Sequence, residues 1–183
     1  MKALFAVALL IASSAHAAGF GFRISEEHDA FTKASYLKAS GLKLCQIRAA
    51  GFAAQCATLD LAWDRRDPGL VIVRLEQPGI TSITEIAVNI DGNIQRYGAD
   101  IPVTDFDYEP SLLRLSAYVA WSSANTFVLP VHALKAIAAS KDNGVIRVLG
   151  THAATDYDFY RKARAKGVPA DELARFLEAL NDS

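Results

Sequence analysis

The sequence predicts an α+β domain in which a largely antiparallel sheet of about six strands carries three or four helices packed mainly on one side. Three observations lead there. Segments of alternating apolar and polar residues crowd the first two thirds of the chain, and short turns join neighbouring segments. The clearest helical stripe comes last, at Leu173, Phe176, Leu177 and Leu180.

The elements follow in order. Ser25 with Glu26 and Glu27 reads as a helix start, and Phe31, Ala34 and Leu37 recur at helical spacing, so a helix is expected from Ser25 to about Lys38, ended by Gly41. Leu42 to Arg48 suits a strand, and Ala49 to Gln55 a small-residue loop. In the next segment Leu59, Leu61 and Trp63 alternate with Thr58, Asp60 and Ala62, which gives a strand one buried and one wet face. Asp64 to Gly69 is turn chemistry, and Leu70 to Leu75 is a continuous β-rich run closed by Gln77-Pro78-Gly79. Ile86, Val88 and Ile90 face one way, and Asp91-Gly92 then turns the chain back through Asn93 to Tyr97. That dipeptide tolerates the positive φ a two-residue hairpin requires.

Ala99 to Pro110 reads as a polar, acidic loop, and Leu112, Leu115 and Val119 fit either a helix or a strand. Thr126 to Leu129 is a short strand. Pro130 then opens a helix whose stripe is Val131, Leu134, Ile137 and Ala138, stopped by Asp142-Asn143-Gly144 before a strand at Val145 to Leu149. The last helix begins at Pro169 with Asp171 and Glu172 in its first turn.

Ahead of these elements, Lys2 precedes an apolar run from Ala3 to Ala12, and Ala15 and Ala17 bracket His16 as a signal peptidase requires. Residues 1–17 are therefore expected to be a cleaved signal peptide and residues 18–183 a single domain, working in the periplasm or secreted. About ten apolar residues are too few to span a bilayer, so no membrane span is expected after cleavage. Loss of the 17-residue leader from 183 residues leaves 166, enough for one core. Nineteen basic against 20 acidic side chains, spread along the chain, argue against a nucleic-acid partner.

The two cysteines, Cys45 and Cys56, are expected to form a structural disulfide. No further Cys or His lies at zinc-ligand spacing near them, and no metal or cofactor is expected. Phe106, Tyr108, Tyr157, Phe159 and Tyr160 cluster in two acidic segments, and rings with polar tips are what recognition surfaces use. Asp-x-Asp pairs within the same segments lack the further oxygens of a calcium loop. Asp100, Asp105, Asp107 and Glu109 instead suit ion pairs with Arg161, Lys162, Arg164 and Lys166.

Residues 104–108 resemble residues 155–159 at an offset of 51, with Ile86, Ala87, Asp91 and Arg96 matched by Ile137, Ala138, Asp142 and Arg147. A hairpin would then have to match a helix, so a true structural repeat is not expected. No nucleophile, zinc-protease or nucleotide-loop motif occurs in the chain. The expected role is a non-catalytic exported domain that binds a protein or other envelope partner. One alternative is a hydrolase or metal-dependent enzyme assembled from His132, His152, Asp105 and Asp156, and a second is a structural component of the envelope.

Overall fold

The computed structural model describes residues 21–29, 32, 34–46, 55–109, 120–140, 144–151, 153–159 and 168–182. The signal segment lies outside them, as does the stretch from Leu112 to Val119. Among the described residues the architecture is a ten-stranded antiparallel sheet with two helices. This corrects the expected sheet of about six strands beneath three or four helices.

The strands are β1 (Arg23–His28), β2 (Ser35–Gln46), β3 (Cys56–Asp64), β4 (Leu70–Pro78), β5 (Ile83–Ile90), β6 (Asn93–Gly98), β7 (Asp105–Glu109), β8 (Ala120–Pro130), β9 (Gly144–Gly150) and β10 (Ala154–Asp158). Helix α1 (Val131–Ala139) follows β8, and α2 (Pro169–Asp182) closes the chain. Neighbours run in the order β6-β5-β9-β10-β2-β3-β4-β8-β7, with β1 paired to β2 off that path.

The expected helix from Ser25 to Lys38 is replaced by β1 and the start of β2, paired from Arg23 opposite Ser40 to His28 opposite Ser35. Helical spacing of Ala34 and Leu37 coincided with a second pattern. Leu37 and Ala39 are buried while Tyr36 and Lys38 are half-buried, the period of two that a strand needs. Gly41 does not end an element. It lies inside β2 at φ +82°, where the pairing with β3 shifts register between Ala39 and Leu42, and a Cβ there would meet the Gly21 carbonyl oxygen at 3.0 Å. That irregularity bends β2, so its first half pairs with β1 and its end with β10.

The β5–β6 hairpin forms as its sequence predicts. Asp91 and Gly92 hold φ of 51° and 88°, and Asn89 Oδ1 accepts the Gly92 amide at 3.0 Å. The segment expected to be a polar loop, Ala99 to Pro110, contributes β7 instead, and the similar acidic segment at residues 155–159 contributes β10, because each alternates carboxylates with rings and finds a neighbour to pair with. The offset of 51 residues puts Ile86 and Ala87 on strand β5 but Ile137 and Ala138 on helix α1.

Residues 79–82 alone carry the chain from β4 to β5, although four strands separate those two in the sheet. The sheet therefore curls until its ends meet, and Ala99, just after β6, bridges to Phe127 on β8. Side chains reinforce the seam. Ser123 Oγ accepts the Thr81 amide at 2.9 Å and donates to the Gly79 carbonyl, while Asn125 Nδ2 donates to the Ile83 carbonyl at 2.8 Å. Thr104 Oγ1 accepts the Ile83 amide at 2.9 Å.

One core fills the interior. Leu42, Leu44, Leu75, Phe127, Ile146 and Phe176 are within 1% of complete burial and belong to the same cluster. Helix α2 supplies Leu173, Phe176 and Leu177 from the predicted stripe, with Leu180 half-buried, and packs on α1 and β2. Cys45 and Cys56 stand directly opposite on β2 and β3 and form a disulfide, with Cα atoms 4.0 Å apart.

Candidate functional site

Strand β7 lies at the end of the sheet path and pairs with the first half of β8. Asp105 stands opposite Ala124, Phe106 opposite Ser123, and Asp107 opposite Ser122. Directly opposed residues share a face, so Phe106 belongs with Ser123 and, one diagonal step away, with Trp121. Farther along that face of β8, Ser123, Asn125, Phe127 and Leu129 are buried inside the curled sheet. At the β7 end the same face emerges into solvent. Phe106 is 49% exposed and Trp121 41%. Beside them the Gly79 amide donates to the Trp121 carbonyl at 2.7 Å, which places the exposed Ile80 next to the same rim.

The other face of β7 is acidic. Asp105 and Asp107 are exposed, and Asp100, whose amide donates to the Thr126 carbonyl at 2.9 Å, is exposed on the same edge of β8. The cations expected to pair with these carboxylates, Arg161 to Lys166, lie outside the described residues.

The five aromatic candidates separate. Phe106 is at the surface, while Tyr157 and Phe159 are each 1% exposed and belong to the core. Tyr160 and the Tyr108 side chain lie outside the described residues. Burial of Tyr157 is polar as well as apolar, since its hydroxyl donates to Gln77 Oε1 at 2.9 Å and Gln46 adds a further hydrogen bond. Desolvation of the phenolate pushes this tyrosine up to about 12.

The residues of the enzymatic alternative take up separate roles. Asp156 on β10 receives both Nε and Nη2 of Arg147, at 2.6 and 2.8 Å, and that paired guanidinium holds its carboxyl below the usual value. Asp105 is exposed on β7, His132 is exposed in the first turn of α1, and His152 lies outside the described residues. Among the described residues no group of three or more His, Cys, Asp or Glu is placed to hold a metal ion. A shallow depression of about 400 Å³ opens where β6 parts from β8, lined by Arg96, Tyr97, Gly98, Ala99, Asp100 and Val128. Its one basic side chain, Arg96, is committed to Glu85 at 2.6 Å.

Comparison with protein-family models, with characterised proteins and with solved structures finds no match. A functional reading therefore depends on surface chemistry alone.

Trp121 is the residue that sequence reasoning passed over. It follows residues whose periodicity fits helix or strand equally well, so its place on the same face as Phe106 depended on the β7–β8 register. Ser123, on the same face of β8, offers no nucleophile to solvent. The fold buries it completely as a hydrogen-bonding post of the seam.

Proposed function

We propose that this chain is an exported, non-catalytic domain that binds a protein partner of the cell envelope, in the periplasm or outside the cell, through the rim formed by β7 and β8. The observation that carries this reading is the exposure of two large rings, Phe106 and Trp121, on one face of adjacent strands. Each ring brings on the order of 150 to 250 Å² of surface, and a pair that solvent leaves half-covered gains by burial against a complementary surface. The Cys45–Cys56 disulfide supports an oxidising, non-cytoplasmic location.

Site-specific photocrosslinking tests the reading. A photoreactive residue at position 106 should give one discrete protein adduct in the natural envelope, and Trp121→Ser should remove it. The same residue at position 94, where Ile94 is also exposed but lies on the β5–β6 hairpin, should give none. Equal adducts from both positions, or none from 106, would remove this rim from consideration.

A further inference from the structure

We infer that the bulge at Ile101, Pro102 and Val103 is a preformed apolar wedge that seats in a pocket of the partner protein, and that basic side chains ring that pocket. This deepens the proposed function and rests on the β7–β8 rim being the partner-facing surface. The bulge follows from a mismatch in register. Ala99 bridges to Phe127 and Asp105 stands opposite Ala124, so seven residues run beside four and three must leave the ladder. Those three are apolar. Ile101 is 54% exposed and Val103 67%, and Pro102 between them is exposed as well.

Both ends of the bulge are pinned. The Asp100 amide donates to the Thr126 carbonyl at 2.9 Å, while the buried Thr104 hydroxyl accepts the Ile83 amide at 2.9 Å and donates to the Ile83 carbonyl at 3.2 Å. Pro102 has no N–H to leave unsatisfied, and it restricts Ile101 to extended backbone. A tip held in one shape before binding loses little conformational entropy when it is covered. Neighbouring aliphatic side chains exposed to this extent gain by leaving water together, which marks an interaction site.

Charge identifies the occupant. Asp100 and Asp105 flank the apolar residues, both are exposed, and no ion pair among the described residues takes either one. From Ala99 to Glu109 the sequence contains no basic residue. Anionic lipid would repel that flank, and a second copy of this wedge would set carboxylates against carboxylates. A protein pocket with an apolar floor and a cationic rim matches both features.

The probe is a photoreactive residue at position 102 of the full mature protein, in its natural envelope. It should form the same adduct as position 106, and mass spectrometry of the joined peptides should place the captured residue in an apolar segment of the partner. In the protein carrying the photoreactive residue at 106, the pair Ile101→Ser and Val103→Ser should lower the adduct yield about tenfold through lost apolar burial. Asp100→Lys with Asp105→Lys should lower it about tenfold by setting like charges together. All four side chains are exposed, so folding is unaffected. Vesicles of phosphatidylethanolamine and phosphatidylglycerol should not sediment the protein.

An unchanged or raised yield on charge reversal would overturn the cationic rim. Sedimentation with vesicles that depends on Ile101 and Val103, or joined peptides that both come from this chain, would assign the wedge to lipid or to a second copy and overturn the inference. Should position 106 still crosslink a partner while position 102 captures nothing and both double variants leave the yield intact, the inference falls and the binding role stands. Absence of any adduct from 106 removes the two together.

Discussion

The hydroxyl of Tyr157 on β10 donates to Gln77 Oε1 on β4 at 2.9 Å, although 80 residues separate the two in sequence and β2 and β3 lie between their strands in the sheet. The bond crosses the inside of the curled sheet. Tyr157 is 1% exposed and Gln77 4%, so neither group has water as an alternative partner. The aromatic side chain thus ties two walls of the fold together and is held neutral by its surroundings.

Replacing Tyr157 with Phe should cost about 1 to 3 kcal/mol at neutral pH, because Gln77 Oε1 loses its donor. Alkaline pH adds a second, opposite effect. An unfolded tyrosine ionises near pH 10, whereas Tyr157 in the native state stays neutral up to about 12. Its contribution is complete below pH 10 and declines as pH rises toward 12, since only the unfolded chain releases the proton. Urea midpoints at pH 7 and pH 11 should therefore show the gap between wild type and Tyr157→Phe narrowing. A constant gap would show that the hydroxyl is not desolvated.

Asn125→Ala should destabilise by about 1 to 3 kcal/mol, since it removes the donor to the buried Ile83 carbonyl where the sheet closes. Hydrogen exchange locates the effect. Faster exchange confined to residues 79–84 and the start of β5 would mark the seam as a separate opening unit, while uniform acceleration would make it part of the global fold.

Phe176→Ala should lower stability by about 3 to 5 kcal/mol, because the ring is fully buried between α2 and the sheet. Arg175 points elsewhere, with its guanidinium 5.7 Å from the centre of the Phe22 ring. Arg175→Ala should cost about 0.5 to 1 kcal/mol, the range of a surface cation–π contact. Denaturant midpoints of the two variants separate these outcomes, and equal small shifts would show α2 to be a solvated appendage.

Replacing Cys45 and Cys56 together with Ala should cost roughly 2 to 3 kcal/mol, the loop-entropy contribution of a link spanning 11 residues. Thiol titration of the natively exported protein under denaturing conditions should find no reactive thiol. Intact-mass measurement on the same sample should show residues 1–17 removed, and their retention in a membrane pellet would contradict cleavage after Ala17.

Local chemistry was legible in the sequence wherever one short segment set its own structure. Asp91-Gly92 prescribed a hairpin because both residues accept positive φ, the Leu173 to Leu180 stripe prescribed a helix with one buried face, and Cys45 and Cys56 prescribed a link in a chain that looks exported. Only the tertiary structure decided what depends on a distant neighbour. Residues 25–38 carried a weak helical spacing that pairing between β1 and β2 overrode, and the acidic segments around Phe106 and Tyr157 became strands because β8 and β9 were there to receive them. Those two segments read alike in sequence, yet one ring lies at a solvent-facing edge and the other inside the sheet. The difference follows from position in the curled sheet, since Phe106 stands at the rim on the last strand of the path, whereas Tyr157 faces the interior and reaches Gln77 on the far wall.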